Sequence, residues 1–97
     1  MPTLCDVEVV AGLRLAVLGR TLSDRRAEEA LTDYLDLPLT RHGHQALLMR
    51  VLELRDNFSA YDAVYVALGE HLQGELLTAD GRLARGVQTF TQLSVLP

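Results

Sequence analysis

Apolar residues in the first third of the chain recur at the spacing of one helical face. They are Leu4, Val7, Ala11, Leu15 and Leu18. Pro2 and Thr3 suit the start of this helix and Gly19 suits its end. Ser23 is a favourable N-cap for a second helix. The apolar face of that helix consists of Ala27, Ala30, Leu31, Tyr34 and Leu35. The pattern predicts a helical hairpin.

The middle of the chain is less regular. Residues 37–42 predict a short strand, because the only proline in them, Pro38, lies near the start, where a strand can tolerate it. Residues 44–55 predict a third helix that is interrupted at Asp56 and Asn57. Its inward positions are Leu47, Leu48, Val51 and Leu54.

The strongest pattern begins at Ser59. One helical stripe is formed by Tyr61, Val64, Tyr65, Leu68 and Leu72. Small apolar residues fill most of the remaining positions, so this helix is expected to be buried. A turn at Gln73 and Gly74 leads to a predicted buried strand at residues 75–78. Asp80 begins a predicted short helix that Gly86 ends, and residues 87–90 predict a last strand.

Helices that alternate with short strands indicate an α/β fold with a parallel sheet covered by helices. The chain has 97 residues, which suits one compact domain, 1–97. Hydrophobic residues make up 48% of it and aromatic residues only 5%, so the core must consist mainly of Leu, Val and Ala. A domain of this size has little stability to spare, and a second copy is expected to help complete the core.

The net charge of −4 argues against a protein whose main task is to grip nucleic acid through a basic surface. It does not exclude an enzyme that acts on RNA through an acidic site holding cations. Cys5 is the one cysteine and cannot form an intrachain disulfide. No signal peptide and no apolar run of about 20 residues is found, so a cytoplasmic protein without a membrane partner is expected.

Three carboxylates lie in apolar stretches of sequence, where a charge is costly unless it has a partner. They are Glu8, Asp62 and Asp80. A Mg²⁺ or Mn²⁺ ion is one possible partner, because both prefer oxygen ligands. Considered singly, each residue also has an ordinary explanation. Glu8 suits the polar side of its helix, while Asp62 and Asp80 suit the first turn and the N-cap of theirs.

The order of the sequence motifs favours a metal site over these ordinary explanations. The segments 4–9, 59–70 and 77–85 contain Glu8, a Tyr-Asp-Ala motif at Asp62 and a Thr-x-Asp motif at Asp80. In this order and at this separation they resemble the PIN-domain family, and most closely its VapC-type toxins. The resemblance covers essentially the whole chain. It implies a three-layer α/β/α fold and a Mg²⁺- or Mn²⁺-dependent endoribonuclease of a toxin–antitoxin pair.

The resemblance implies roles for individual residues. Glu8, Asp62 and Asp80 match the family's metal-binding and catalytic acids, and Ser59 matches a supporting Ser or Thr near them. RNA, a VapB-like antitoxin and a second copy are the implied partners. Arg55, Arg82 and Arg85 lie near the motifs and are candidates for phosphate contacts. Isolated arginines are more often ordinary surface or helix-end charges.

The sequence departs from the family at its start. Family members begin with a strand ending in an aspartate, whereas this chain opens on the helix that carries Glu8. Asp6 does not replace that aspartate, since residues two apart on a helix face different directions. An N-terminally truncated, partial PIN-like domain is therefore expected, with impaired catalysis. The alternative function is a catalytically inactive interaction module that binds an antitoxin or its own copy.

Overall fold

A computed structural model describes residues 1–96, which divide into two compact units. The first unit comprises Met1 and residues 3–42, and the second comprises Pro2 and the chain from residue 43 onward. The helices of the first unit are α1 (Leu4–Leu18) and α2 (Asp24–Leu35). The second unit contains a 3₁₀ turn (Gln45–Leu47), α3 (Leu48–Glu53), α4 (Ala60–Leu72), β1 (Glu75–Leu76), α5 (Gly81–Phe90) and β2 (Ser94–Val95).

The predicted helical hairpin is confirmed in the first unit, where α1 packs against α2. The Ser23 hydroxyl caps α2 by accepting a hydrogen bond from the Arg26 amide at 3.2 Å. Gly19 follows α1 as expected, but its φ of −80° is one that any residue can adopt. The left-handed conformation belongs instead to Arg20, at φ 60°. Neither α1 nor α2, both fully described, contains a buried residue.

A polar cluster joins both helices of this unit to the segment that follows them. The Tyr34 hydroxyl donates to Asp6 Oδ1 at 2.7 Å, and Arg41 Nε donates to the same carboxylate at 2.9 Å. The Arg41 guanidinium also lies over the Tyr34 ring, 5.6 Å from its centre. These hydrogen bonds lower the pKa of Asp6, that from Tyr34 most, and the bond to Asp6 raises the pKa of Tyr34 to about 12.

The prediction of a strand at residues 37–42 is wrong. Pro38 has no amide hydrogen to donate, and residues 37–41 remain irregular. Extended pairing is confined to His42, whose amide donates to the Met1 carbonyl at 2.8 Å and whose carbonyl accepts from the Thr3 amide at 2.9 Å.

In the second unit, the helix predicted at residues 44–55 forms, but it begins as the 3₁₀ turn and ends at Glu53. Arg50 joins α3 to α4. Its Nε and Nη2 each donate to one Glu70 carboxylate oxygen at 2.9 Å, and its Nη1 donates to Glu53 at 3.2 Å. A forked, two-point contact of this kind fixes the angle between its partners better than a single ion pair does.

The prediction that α4 is a buried helix is confirmed, and its buried face coincides with the predicted stripe only in part, at Val64 and Leu68. Ala63, Val66 and Ala67 lie at its centre, whereas Tyr61 is 64% exposed and Leu72 is 48% exposed. The surrounding core consists of Leu47, Val51, Leu54, Phe58, Val64, Leu68, Leu76, Val87 and Leu93. Gln73 ends α4 in the left-handed conformation at φ 53°, which confirms the predicted turn.

The C-terminal part of the second unit forms a β–α–β arrangement. β1 and β2 are parallel, with Glu75 opposite Ser94 and Leu76 opposite Val95. The strand predicted at residues 75–78 is shorter than expected, and Leu77 is 76% exposed. The α/β class with a short parallel sheet is confirmed.

Two predictions for α5 are wrong. The helix does not end at Gly86, and residues 87–90 are helical instead of a strand. Gly86 allows the backbone of α5 to approach the Phe58 ring closely, since a Cβ at Gly86 would lie 3.2 Å from Cε1 of Phe58. None of the helices within residues 1–96 combines the length and apolarity needed to cross a bilayer.

Candidate active site

The second unit has a cavity of about 310 Å³ that is lined by the N-terminal end of α4 and by residues along α5. It is lined by Asn57, Phe58, Ser59, Asp62, Asp80, Arg82, Leu83, Gly86 and Phe90. Two of the three predicted acids, Asp62 and Asp80, therefore lie on one cavity although 18 positions separate them. The N-terminus of a helix carries a partial positive charge, which makes both ends favourable places for carboxylates.

Ser59 and Asp62 occupy the first turn of α4. Ser59 has extended backbone, and its hydroxyl accepts a hydrogen bond from the Asp62 amide at 3.1 Å. Asp62 is half-buried. The predicted helix cap is thus present. Because the bond uses the backbone of Asp62, it fixes this turn without occupying the carboxylate that lines the cavity.

Asp80 is the N-cap of α5. One oxygen, Oδ1, accepts from the amides of Arg82 at 2.9 Å and Leu83 at 3.2 Å. The Asp80 amide in turn donates to Thr78 Oγ1 at 3.1 Å, which links both ends of the Thr-x-Asp motif. The cap predicted for Asp80 is confirmed. Both capping bonds use the same oxygen, so the second oxygen, Oδ2, is not required by the cap.

Glu8 lies in α1 of the first unit, while every residue that lines the cavity belongs to the second. Glu8 and Asp80 are exposed, which agrees with the ordinary explanations of a polar helix side and an N-cap for these residues. No charged residue within 1–96 is fully buried. The metal-binding and catalytic roles of Glu8, Asp62 and Asp80, and the supporting role of Ser59, remain predictions.

Of the three arginines considered for phosphate contacts, Arg82 lines the cavity and the other two do not. Arg55 Nη1 donates to the Leu52 carbonyl at 3.1 Å, near the C-terminal end of α3. That is the ordinary position of a helix-end cation. The Arg85 side chain turns back along α5 towards Gly81.

Sequence reasoning missed the aromatic wall of the cavity. Phe58 and Phe90 meet edge to face, with ring centres 6.5 Å apart and an angle of 88° between the rings. Phe58 is buried, whereas Phe90 is 54% exposed. A signal was present, because Leu83, Val87 and Phe90 follow helical spacing across Gly86. Gly86 lies within this pattern and does not end the helix.

The donor set of the cavity fits a hard divalent cation. Carboxylate, hydroxyl and amide oxygens are the ligands that Mg²⁺ and Mn²⁺ prefer, and Mg²⁺ is commonly held by one or two carboxylates with water completing its shell. Within residues 43–96, no group of three or more His, Cys, Asp or Glu side chains is placed to hold an ion by itself. The two carboxylates outnumber the single guanidinium of Arg82, so the cavity by itself carries a net negative charge that would repel a phosphate. A bound divalent cation would reverse the sign of this charge and make the cavity attractive to a phosphate.

The α/β fold with its short parallel strand pair agrees with a small protein of the PIN type. No family model matches the sequence. The chain is 39% identical over 97 residues to ribonuclease VapC9 of Mycobacterium tuberculosis, which covers all of this chain and 76% of that protein. It is 43% identical over 84 residues to ribonuclease VapC1 of the same organism, covering 86% of this chain and 63% of that protein.

Ribonuclease VapC12 of Mycobacterium tuberculosis is 37% identical over 84 residues, which cover 87% of this chain and 65% of that protein. The chain therefore belongs to the VapC ribonuclease family, and the resemblance predicted from its motifs is confirmed.

Proposed function

We propose that this chain is the toxin of a VapC-type toxin–antitoxin pair and an endoribonuclease that depends on Mg²⁺ or Mn²⁺. The observation that carries the proposal is the cavity that Asp62 and Asp80 both line, in a chain related to proteins named ribonucleases. Its oxygen donors suit such an ion, and its size lies at the lower end of the range for small-molecule sites.

Each side chain has a proposed task. The carboxylates of Asp62 and Asp80 bind the cation, and Ser59 holds the first turn of α4 so that Asp62 keeps its position. Arg82 binds a phosphate of the RNA. A bound Mg²⁺ or Mn²⁺ supplies activation of a water molecule and offsets the charge of the phosphodiester. Glu8 is assigned to catalysis by its match to the family's helix glutamate alone.

The proposed protein partners are an antitoxin of the VapB type and a second copy of the chain. Exposed apolar side chains support such partners, because soluble proteins rarely leave them grouped on one element. On α1, Val7 is 67% exposed, Leu15 66% and Leu18 63%.

Cleavage of RNA in the presence of Mn²⁺ tests the proposal. The Asp62→Asn variant keeps the size of the side chain and removes its charge. Loss of a ligand to the metal is expected to slow cleavage on the order of 10- to 100-fold or more. Chelation of the metal is expected to stop cleavage by the parent protein. Glu8→Gln, assayed in parallel, tests the residue assigned by resemblance.

Asp33→Asn is the matched control, since it removes the same charge from the exposed surface of α2. It is expected to cleave like the parent. Equal cleavage by Asp62→Asn and the parent would rule out the proposed site. A parent protein that neither cleaves RNA nor binds Mn²⁺ in calorimetry would favour the alternative, an inactive module that binds other proteins.

A further inference from the structure

Phe90 is an exposed aromatic residue on the wall of the carboxylate cavity. Its ring is 54% exposed, although it lies at the end of α5 beside the buried ring of Phe58. An edge-to-face pair occupies at most one face of either ring. Phe90 therefore has an aromatic face available to a ligand in the cavity that also contains Asp62 and Asp80.

The residues around this ring combine the contacts that a nucleotide requires. Leu83 extends the apolar wall, the Asn57 amide can donate and accept hydrogen bonds at the edge of a base, and Arg82 can bind a phosphate. Proteins that recognise single-stranded RNA stack its unpaired bases on aromatic side chains. A cavity of about 310 Å³ is large enough to hold one base.

We propose that Phe90 is the stacking platform for one base of a single-stranded RNA substrate whose backbone runs along the cavity that Arg82, Asp62 and Asp80 also line. The inference rests on the proposed function and deepens it by naming the residue that would bind a base of the RNA in the cavity. Stacking depends on the aromatic surface of the base, so purines are bound more tightly than pyrimidines.

Binding of a short, fluorescently labelled oligoadenylate tests the proposal. Anisotropy is measured in the Asp62→Asn background, which keeps the RNA intact. Phe90→Leu retains an apolar contact for Phe58 and removes the stacking face. It is expected to weaken binding of oligoadenylate by about tenfold, the effect of losing one stacked base. Phe90→Trp is expected to restore binding.

An abasic ribose-phosphate chain of the same length separates stacking from folding. Phe90→Leu is expected to leave binding of this probe unchanged, because it offers no base. Tyr61→Leu is the matched control, since Tyr61 is a 64% exposed aromatic residue that does not line the cavity. Its binding of oligoadenylate is expected to equal that of the Asp62→Asn background.

Three results would overturn the stacking platform. They are unchanged oligoadenylate binding in Phe90→Leu, an equal loss for the abasic probe, and an equal loss in Tyr61→Leu. Any of them is compatible with Mn²⁺-dependent cleavage by the parent, in which case the proposed function survives. Conversely, base-dependent loss of binding in Phe90→Leu, together with no cleavage by the parent, supports the platform and contradicts the nuclease.

Discussion

Ser59 and Asp80 each serve a helix and a cavity at the same time. The Ser59 hydroxyl binds the Asp62 amide, as the Ser23 hydroxyl binds the Arg26 amide at the start of α2. At these positions an ordinary cap and a functional residue are therefore not competing explanations. The chain needs the cap for stability, and the cap in turn fixes the backbone from which Asp62 extends.

A pair of serine variants separates the two roles. Ser59→Ala and Ser23→Ala are each expected to lower the free energy of unfolding by about 1 kcal/mol, the usual effect of losing an N-cap. Ser59→Ala is also expected to slow RNA cleavage, whereas Ser23→Ala is expected to cleave like the parent under conditions where both are folded. Chemical denaturation and a cleavage assay provide the two measurements. Equal cleavage by both variants would remove Ser59 from the site.

The caps could be predicted because the interactions that define them are local. Ser23, Ser59 and Asp80 bind amides two or three positions ahead, and a residue type with that spacing contains the necessary information. The exposure of the predicted acids could not be predicted from local sequence in the same way. Glu8 and Asp80 lie beside apolar residues in the sequence, but exposure depends on where the chain packs those neighbours.

At the scale of an element, α5 shows that a glycine can be required by a close contact within a helix and need not mark the end of that helix. Gly86 is followed by one more helical turn, which brings Phe90 to the cavity. A residue with a Cβ at this position would crowd the buried ring of Phe58. Gly86 is therefore needed because α5 lies close to an aromatic ring. It is not needed for an unusual backbone conformation, since no glycine in residues 1–96 has a positive φ.

Two alanine substitutions in α5 test this interpretation. A helical glycine replaced by alanine gains up to about 1 kcal/mol of stability where space allows. Gly81→Ala is expected to show part of this gain, because the nearest atom, Nη1 of Arg85, belongs to a flexible side chain. Gly86→Ala is expected to be no more stable than the parent, since Phe58 must move. Thermal unfolding measures both, and a clear gain in Gly86→Ala would contradict the packing argument.

The strands were the least predictable elements. β1 and β2 contain two residues each, which is too short for an alternating pattern to appear. Their pairing joins residues separated by 19 positions, so no local signal marks it. The helices were predicted better, because α1, α2 and α4 each carry several turns of periodic sequence. For α4 the predicted face was partly right, since Val64 and Leu68 are buried whereas Tyr61 and Leu72 are exposed.

For the molecule as a whole, polar contacts and apolar burial are distributed differently between the two units. The helices of the first unit have no buried residue, and the Asp6–Tyr34–Arg41 cluster joins its parts. The second unit has a continuous apolar core around α4. The stability of the first unit should therefore depend on pH, because Asp6 and Tyr34 of this cluster titrate whereas apolar contacts do not.

The sign of this dependence follows from the two pKa shifts. The hydrogen bond to Asp6 raises the pKa of Tyr34 from 10.0 to about 12, so its contribution is complete below pH 10 and is lost as the pH rises towards 12. The pKa of Asp6 is lowered from 3.8, so its contribution is complete above that pH and is lost on acidification through the lower folded value.

Urea unfolding at a series of pH values tests this prediction. The difference in stability between the parent and Tyr34→Phe is expected to be constant from neutral pH to about pH 10 and to shrink towards pH 12. Asp6→Asn is expected to shift the alkaline loss of the parent to lower pH, because Tyr34 then lacks its carboxylate acceptor. A parent–variant difference that persists unchanged at pH 12 would show that the hydrogen bond does not govern the titration.

The parallel pair of β1 and β2 has a consequence for slow opening of the native state. α5 connects the two strands, so their pairing holds both ends of this helix in place. The same helix and its N-cap provide the wall of the cavity that contains Asp80, Arg82 and Phe90. Ser59 and Asp62 belong instead to α4, which the core surrounds. Opening the two-residue ladder would release one wall of the cavity and leave the other in place. Amide hydrogens of α5 should thus exchange as a separate cooperative group, and more readily than those of α4.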